Sequence, residues 1–138
     1  MRIIDRVLTV ADRLAPPAPI HAHCDLPCGV YDPAQARIEA QSVKATQEKY
    51  NASDDESFKT RALLIKEERA DMVKHHLWVL WTDYFKPEHQ AKYPELSDLF
   101  WKATKTAGEA KKTNDVAVGE RLLTEIAEID TMFRESKK

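Results

Sequence analysis

From Asp32 to the C-terminus, helix-stopping residues interrupt the chain at only three places, and the blocks between them carry apolar residues at helical spacing. An apolar residue every three or four positions is what a helix buries against a neighbour. Asp32-Pro33 opens the first block, a capping side chain followed by proline at the first helical position. Ala34 to about Tyr50 is rich in the good helix formers Ala, Gln, Glu and Lys. Asn51-Ala52-Ser53 interrupts, and Ser53-x-x-Glu56 has capping-box spacing. A second helix is therefore expected from about Asp54 to Phe85, with Leu64, Ile65, Val73, Leu77, Leu80, Trp81 and Tyr84 as its buried stripe. Lys86-Pro87 stops it, and Tyr93-Pro94 starts a third helix that fades near Lys112, with Leu96, Leu99, Phe100 and Ala103 on its apolar side. Asn114 or Asp115 caps a fourth, striped by Leu122, Leu123, Ile126, Ile129, Met132 and Phe133. Four amphipathic helices with short connections close most economically as an antiparallel four-helix bundle, here spanning residues 33–136. The expected fold class is all-α. Only 3 glycines occur in 138 residues, which argues against a glycine-rich phosphate loop or a turn-dense β fold.

Charge excludes two further classes of partner. Lys plus Arg is 21 and Asp plus Glu is 23, a formal net charge of -2, without the basic excess of a nucleic-acid binder. No stretch approaches the roughly 18 apolar residues of a membrane span. Residues 1–22 form a separate region. Ile3, Ile4, Val7, Leu8, Ala11 and Leu14 recur at helical spacing, and then Ala15-Pro16-Pro17-Ala18-Pro19 forces an extended spacer. Asp5 and Arg6 break the apolar run that a secretory signal requires, which favours the cytoplasm. The segment reads as a domain-capping arm or as a removable pro-segment ending at Ala22.

Between spacer and first helix lies His21-Ala-His23-Cys24-Asp25-Leu26-Pro27-Cys28-Gly29-Val30-Tyr31-Asp32, which holds both cysteines of the chain. Three readings compete: a Cys24–Cys28 disulfide, two incidental thiols, or a metal hook of thiolates and nitrogen. A disulfide this short gains little, since small loops have little closure entropy to remove. Zinc would want four ligands, which His21, His23, Cys24 and Cys28 supply on paper. Spacing alone leaves these alternatives open.

The local string is more specific. His23-Cys24-Asp25-Leu26-Pro27-Cys28-Gly29-Val30-Tyr31 closely resembles the N-terminal hook of the nickel superoxide dismutases. The likeness continues through Asp32-Pro33-Ala34-Gln35-Ala36-Arg37-Ile38-Glu39-Ala40, Lys74-His75-His76, Leu80-Trp81, Asp83-Tyr84-Phe85-Lys86-Pro87 and Lys92-Tyr93-Pro94-Glu95-Leu96. It covers essentially residues 23–138.

The resemblance implies a precursor cut between Ala22 and His23, with 1–22 as pro-segment and 23–138 as the enzyme domain, its hook at 23–31. It implies one nickel ion per subunit, held by the freed α-amine of His23, the deprotonated amide nitrogen of Cys24 and the thiolates of Cys24 and Cys28. The His23 imidazole adds an axial ligand in the oxidised state. Square-planar ligation with nitrogen suits Ni(II). The implied reaction is disproportionation of superoxide to O₂ and hydrogen peroxide with Ni(III)/Ni(II) cycling. Tyr31 would order water or limit anion access. Backbone amides near Asp25 and Cys28 would donate to anion or sulfur. Glu39 and Arg69 would orient the axial imidazole. Lys86 would supply local positive charge to steer an anion toward a mildly acidic chain. The family's assembly implies a homohexamer, and its maturation implies a processing protease.

Taken without the resemblance, Glu39, Arg69 and Lys86 are ordinary helix-surface charges and Tyr31 is a turn aromatic packed on the bundle. His75 and His76 point about 100° apart on a helix and cannot easily chelate one metal. His89 lies in a helix connection with no evident partner, and Trp78, Trp81 and Trp101 read as core or subunit contacts. The rival readings are a nickel or copper carrier that uses the same hook without turnover, and a thiol-redox or zinc-stabilised helical protein. Tyr31 with Glu39 and Arg69 favours the enzyme, because a carrier has no need of a shell that orients an imidazole.

Overall fold

The computed structural model describes residues 28–138. They form five helices and no strand: α1 (Ala34–Asn51), α2 (Glu56–Val79), α3 (Pro87–Lys92), α4 (Leu96–Lys112) and α5 (Val116–Glu135). The long helices pack in a ring, α1 on α2, α2 on α4, α4 on α5 and α5 on α1. The ends of α1 and α4 meet through Gln47 and Thr113, and the α2 extension meets the end of α5 through Tyr84 and Ser136. Neighbours in the ring therefore run antiparallel, as expected of an up-down-up-down bundle. No helix among the described residues is long and apolar enough to cross a membrane. The segment 1–22 and hook residues 23–27 lie outside the described residues.

Local chemistry sets the ends of the helices. Asp32 Oδ1 accepts the Ala34 N–H at 2.8 Å, and Asp115 caps α5 by accepting the Ala117 N–H at 2.9 Å. At α2 the expected Ser53 capping box gives way to Asp55. The Asp55 carboxylate accepts the N–H groups of Ser57 (2.9 Å) and Phe58 (3.3 Å), so the helix begins at Glu56 rather than Asp54. Ser53 instead takes the Asp55 N–H (3.2 Å). A carboxylate outcompetes a hydroxyl here because the bonds it accepts are charge-assisted. The far end of α2 widens into one π turn, Leu80–Tyr84, closed by the Phe85 N–H on the Leu80 carbonyl at 2.9 Å. The extra residue in that turn re-aims Tyr84 and Phe85 toward the end of the bundle.

The main core gathers Ala36 and Ala40 of α1, Val73 and Leu77 of α2, Leu96, Leu99, Phe100, Ala103 and Ala107 of α4, and Leu122, Ile126, Ile129 and Phe133 of α5. Each large side chain buried there contributes roughly 1.5–3 kcal/mol. The stripes expected for the third and fourth helices are thus the observed ones. The stripe expected for α2 is correct from Val73 onward and wrong before it. Leu64 is 66% exposed and Ile65 45% exposed, while the inward register is Ala62, Lys66, Ala70, Val73, Leu77. The apolar run Leu63-Leu64-Ile65 drew the sequence reading one face around the helix. The true register carries two alanines and a lysine, which apolar content does not flag. Alanine at these positions lets α1 and α2 approach closely. On the side of α1 that faces α5 the contact is close: a Cβ on Gly119 would lie 3.1 Å from the Lys44 Cα and 2.5 Å from Gln47 Oε1.

Candidate metal hook at one end of the bundle

Three of the expected site residues, His23, Cys24 and Asp25, lie outside the described residues. The described part begins with Cys28 at the bundle end where α1 starts. Gly29 follows with φ +74°, a left-handed conformation that side-chain-bearing residues rarely adopt. This bend returns the Val30 N–H toward the cysteine, and it donates to Cys28 Sγ at 3.3 Å. The sulfur is exposed, so an incoming ligand atom is not blocked by the bundle.

Tyr31 ends this turn and anchors it. Its ring packs against Tyr84 with centroids 5.8 Å apart. Tyr84 is the hub of the bundle end. It meets Phe85 at 4.9 Å, His89 at 5.8 Å and Phe133 at 4.6 Å, and its hydroxyl shares a 2.7 Å hydrogen bond with Ser136 Oγ. The sequence reading placed Tyr84 in a buried stripe and missed this role. What puts it there is the π turn, and no residue type in Leu80–Tyr84 announces one.

Glu39 and Arg69 come together across the α1–α2 interface. Arg69 Nη1 donates to both carboxylate oxygens of Glu39, at 3.2 and 3.1 Å, and Nη2 donates to Glu68 at 2.6 Å. The hydrogen bond to Glu68 and the charge of Glu39 hold the guanidinium even more firmly protonated than usual. Glu39 stands five residues into α1, roughly 8 Å along the axis from its start. The pair therefore lies along the flank of the bundle next to the hook end, while Tyr31 caps the end itself.

Lys86 is exposed at the junction between the π turn and α3, two residues past Tyr84. His89, for which the sequence suggested no partner, has several: its Nδ1 accepts the Lys86 N–H at 3.0 Å, and its ring meets Tyr84 and Phe85. His75 and His76 sit edge to face at 5.3 Å. Trp81 packs on Phe100 at 5.2 Å, whereas Trp78 and Trp101 are 51% and 61% exposed. Among the described residues no group of three or more His, Cys, Asp and Glu could hold a metal ion. The thiolate and nitrogen donors that His23, Cys24 and Cys28 carry fit a soft, nitrogen-tolerant ion such as nickel.

The family model described as nickel-containing superoxide dismutase matches residues 18–137. The chain is 58% identical over 124 residues to the superoxide dismutase [Ni] of Streptomyces coelicolor and 59% identical over 124 residues to that of Streptomyces seoulensis, covering in each case 90% of this chain and 95% of the relative. Among solved structures, the native nickel superoxide dismutase at 1.30 Å superposes with a TM-score of 0.82 at 59% identity, covering 84% of this chain and all of the other. A form with nickel ligation of the oxidised state gives 0.82 at 60% identity, covering 83% of this chain and 98% of the other. A match across nearly the whole chain, at this identity and with the same helical bundle, means that the chain belongs to the nickel-containing superoxide dismutase family.

Proposed function

We propose that this chain disproportionates superoxide, converting two superoxide anions and two protons to O₂ and hydrogen peroxide, at a nickel site made by His23, Cys24 and Cys28. The observation that carries the reading is the turn at the bundle end. Cys28 presents an exposed sulfur, Gly29 bends the chain, Val30 donates to that sulfur, and Tyr31 locks the turn onto Tyr84. Bound nickel would supply one-electron redox chemistry, shuttling between Ni(III) and Ni(II).

The chain's own residues do the rest. The α-amine and imidazole of His23, the amide nitrogen of Cys24 and the two thiolates hold the ion. That ligand set requires a free amine at His23, because an amide nitrogen inside a peptide bond is a poor donor. Residues 1–22 are accordingly a pro-segment, removed by a protease between Ala22 and His23, and residues 23–138 are the working enzyme. The Glu39–Arg69 pair orients the His23 imidazole, and fixing the orientation of a ligating histidine is a common task for a carboxylate next to a metal site. Tyr31 orders water and limits which anions reach the hook, with backbone amides around Asp25 and Cys28 as donors. Lys86 concentrates superoxide near the hook, since local positive charge steers an anion even where net charge is negative.

The working assembly is a homohexamer in the cytoplasm. Exposed Leu64, Trp78 and Trp101 support further burial of apolar surface. Asp5 and Arg6, interrupting the N-terminal apolar run, support the location.

The test is intact mass and metal analysis followed by superoxide decay. Protein cut before His23 and carrying one nickel per chain should accelerate decay far beyond free nickel, and the uncut chain should show little activity until a protease frees His23. Full activity with Met1 still attached would refute the role of cleavage. Nickel bound by cut protein without turnover would make the chain a carrier.

A further inference from the structure

His89 is the third residue of α3, a helix of six residues with no side-chain hydrogen bond from its cap residue to the helix. Six residues are too few to hold a helix by themselves in water. Two features of His89 hold this one. Its Nδ1 accepts the backbone N–H of Lys86 at 3.0 Å, so that nitrogen carries no proton and Nε2 bears it in the neutral ring. Its ring lies flat on Tyr84, 5.8 Å between centroids and 8° from parallel, and stands edge-on to Phe85 at 5.7 Å and 88°. Tyr84 is in turn the ring on which Tyr31 rests. One imidazole thus touches the backbone that carries Lys86 and the aromatic stack that carries the hook turn.

We propose that His89 is a positioning residue for superoxide capture, fixing the Lys86 backbone through Nδ1. The proposal rests on the reading of Lys86 as the steering charge. A lysine ammonium samples many rotamers, but the place from which it samples them is set by its backbone. Lys86 sits extended, with φ -118° and ψ 163°, between the π turn and Pro87. Pro87 has no N–H to offer, so the Lys86 amide held by His89 is the backbone donor that ties this junction down. Without that bond the start of α3 frays, and the charge spreads over a wider region. Field strength at a mouth depends on where charge sits within a screening length of about 8–10 Å.

Two substitutions separate the acceptor from the ring. His89→Phe keeps a flat ring for Tyr84 and removes the acceptor. His89→Gln removes the ring and restores an acceptor at a position where glutamine reaches the cap N–H well. Lys86→Gln serves as the control. All are prepared as processed, nickel-loaded protein. The first readout is amide hydrogen exchange in the peptide spanning residues 85–92. The second is the slope of the superoxide rate constant against ionic strength, which a merely structural role would not move.

His89→Phe should speed exchange at the Lys86 amide on the order of fivefold, the equivalent of one neutral hydrogen bond. It should also flatten the salt dependence toward that of Lys86→Gln, while His89→Gln should keep both near the unaltered protein. A Lys86 amide already exchanging at the free-peptide rate in the unaltered protein would overturn the proposal, as would His89→Phe with unchanged exchange and slope. If Lys86→Gln flattens the slope and His89→Phe does not, only the role of His89 falls. If Lys86→Gln leaves the slope unchanged, the steering role of Lys86 falls first and takes this proposal with it.

Discussion

At the end that carries Cys28, the bundle is closed by rings: Tyr31, Tyr84, Phe85, His89 and Phe133 meet at centroid distances of 4.6 to 5.8 Å. At the opposite end it is closed by directional polar contacts. Lys66, 1% exposed, drives its ammonium into the α4–α5 connection, donating to the Thr113 carbonyl at 2.6 Å and to Asn114 Oδ1 at 2.9 Å. Gln47 Nε2 donates to the same carbonyl at 3.3 Å, and Asn51 Nδ2 donates to the Asn114 carbonyl at 2.8 Å. The difference has a physical logic. Ring packing is tolerant of small displacements, so an incoming hook segment can be seated on it without every contact depending on one geometry. Hydrogen bonds to a buried ammonium are not tolerant, so the polar end fixes how α1, α2 and the α4–α5 connection register with one another. The polar end should therefore govern stability and the aromatic end function, and substitutions at each end can break that division.

The largest effect belongs to the hook. Cys28→Ser should abolish superoxide decay by the nickel-treated, processed protein, a loss of at least about a hundredfold, because a hydroxyl does not replace a thiolate on a soft, redox-active ion. The helical circular dichroism of the metal-free protein should stay as it was, and its unfolding free energy should change by less than about 0.5 kcal/mol, as for other exposed positions. Collapse of the helical signal would instead mean that Cys28 holds the fold together.

At the other end the pattern should invert. Lys66→Ala removes both hydrogen bonds and leaves a cavity, and should cost about 2–4 kcal/mol in chemical denaturation. Activity per bound nickel should be untouched. Lys66→Met refills the volume and leaves the Thr113 carbonyl to Gln47, and should cost about 1 kcal/mol or less, since an apolar replacement of similar size also removes the desolvation of a buried charge. Equal costs for Ala and Met would show that the volume of Lys66 plays no part.

The smallest effect is a slope. Burial lowers the pKa of Lys66 below its ordinary 10.5. Between the lowered value and 10.5 the unfolded chain binds more protons than the folded one, so stability from this group rises with pH across that window and levels off above it. Titrations of denaturation midpoint against pH should show this rise in the unaltered protein and lose it in Lys66→Met. A rise of the same size in both proteins would assign it to other groups.

Much of this was legible in the chain itself. The Asp32-Pro33 and Asp115 starts, the breaks at Asn51-Ala52-Ser53 and Lys86-Pro87, and the stripes of α4 and α5 follow from side-chain chemistry acting within one or two turns. The string His23 to Tyr31 pointed to the family for a different reason: its likeness lies in consecutive residues, whose order the sequence shows directly. The failures share a cause as well. The register of α2 at Ala62, Lys66 and Ala70 depends on how close α1 approaches, which no local pattern encodes. His89 looked partnerless because its partners, Lys86, Tyr84 and Phe85, meet it only after a π turn has re-aimed them.

Local chemistry thus determined that there would be four long helices and where most of them start and stop. Tertiary structure decided which face of α2 turns inward, and it placed a lysine rather than a leucine at the polar end. It also brought Glu39 to Arg69 and Tyr31 to Tyr84 across 30 and 53 positions of chain. Helix propensity, capping and apolar spacing act over a few residues, whereas these pairings are settled only when the helices dock and each buried polar group must find a partner or cost the fold its stability.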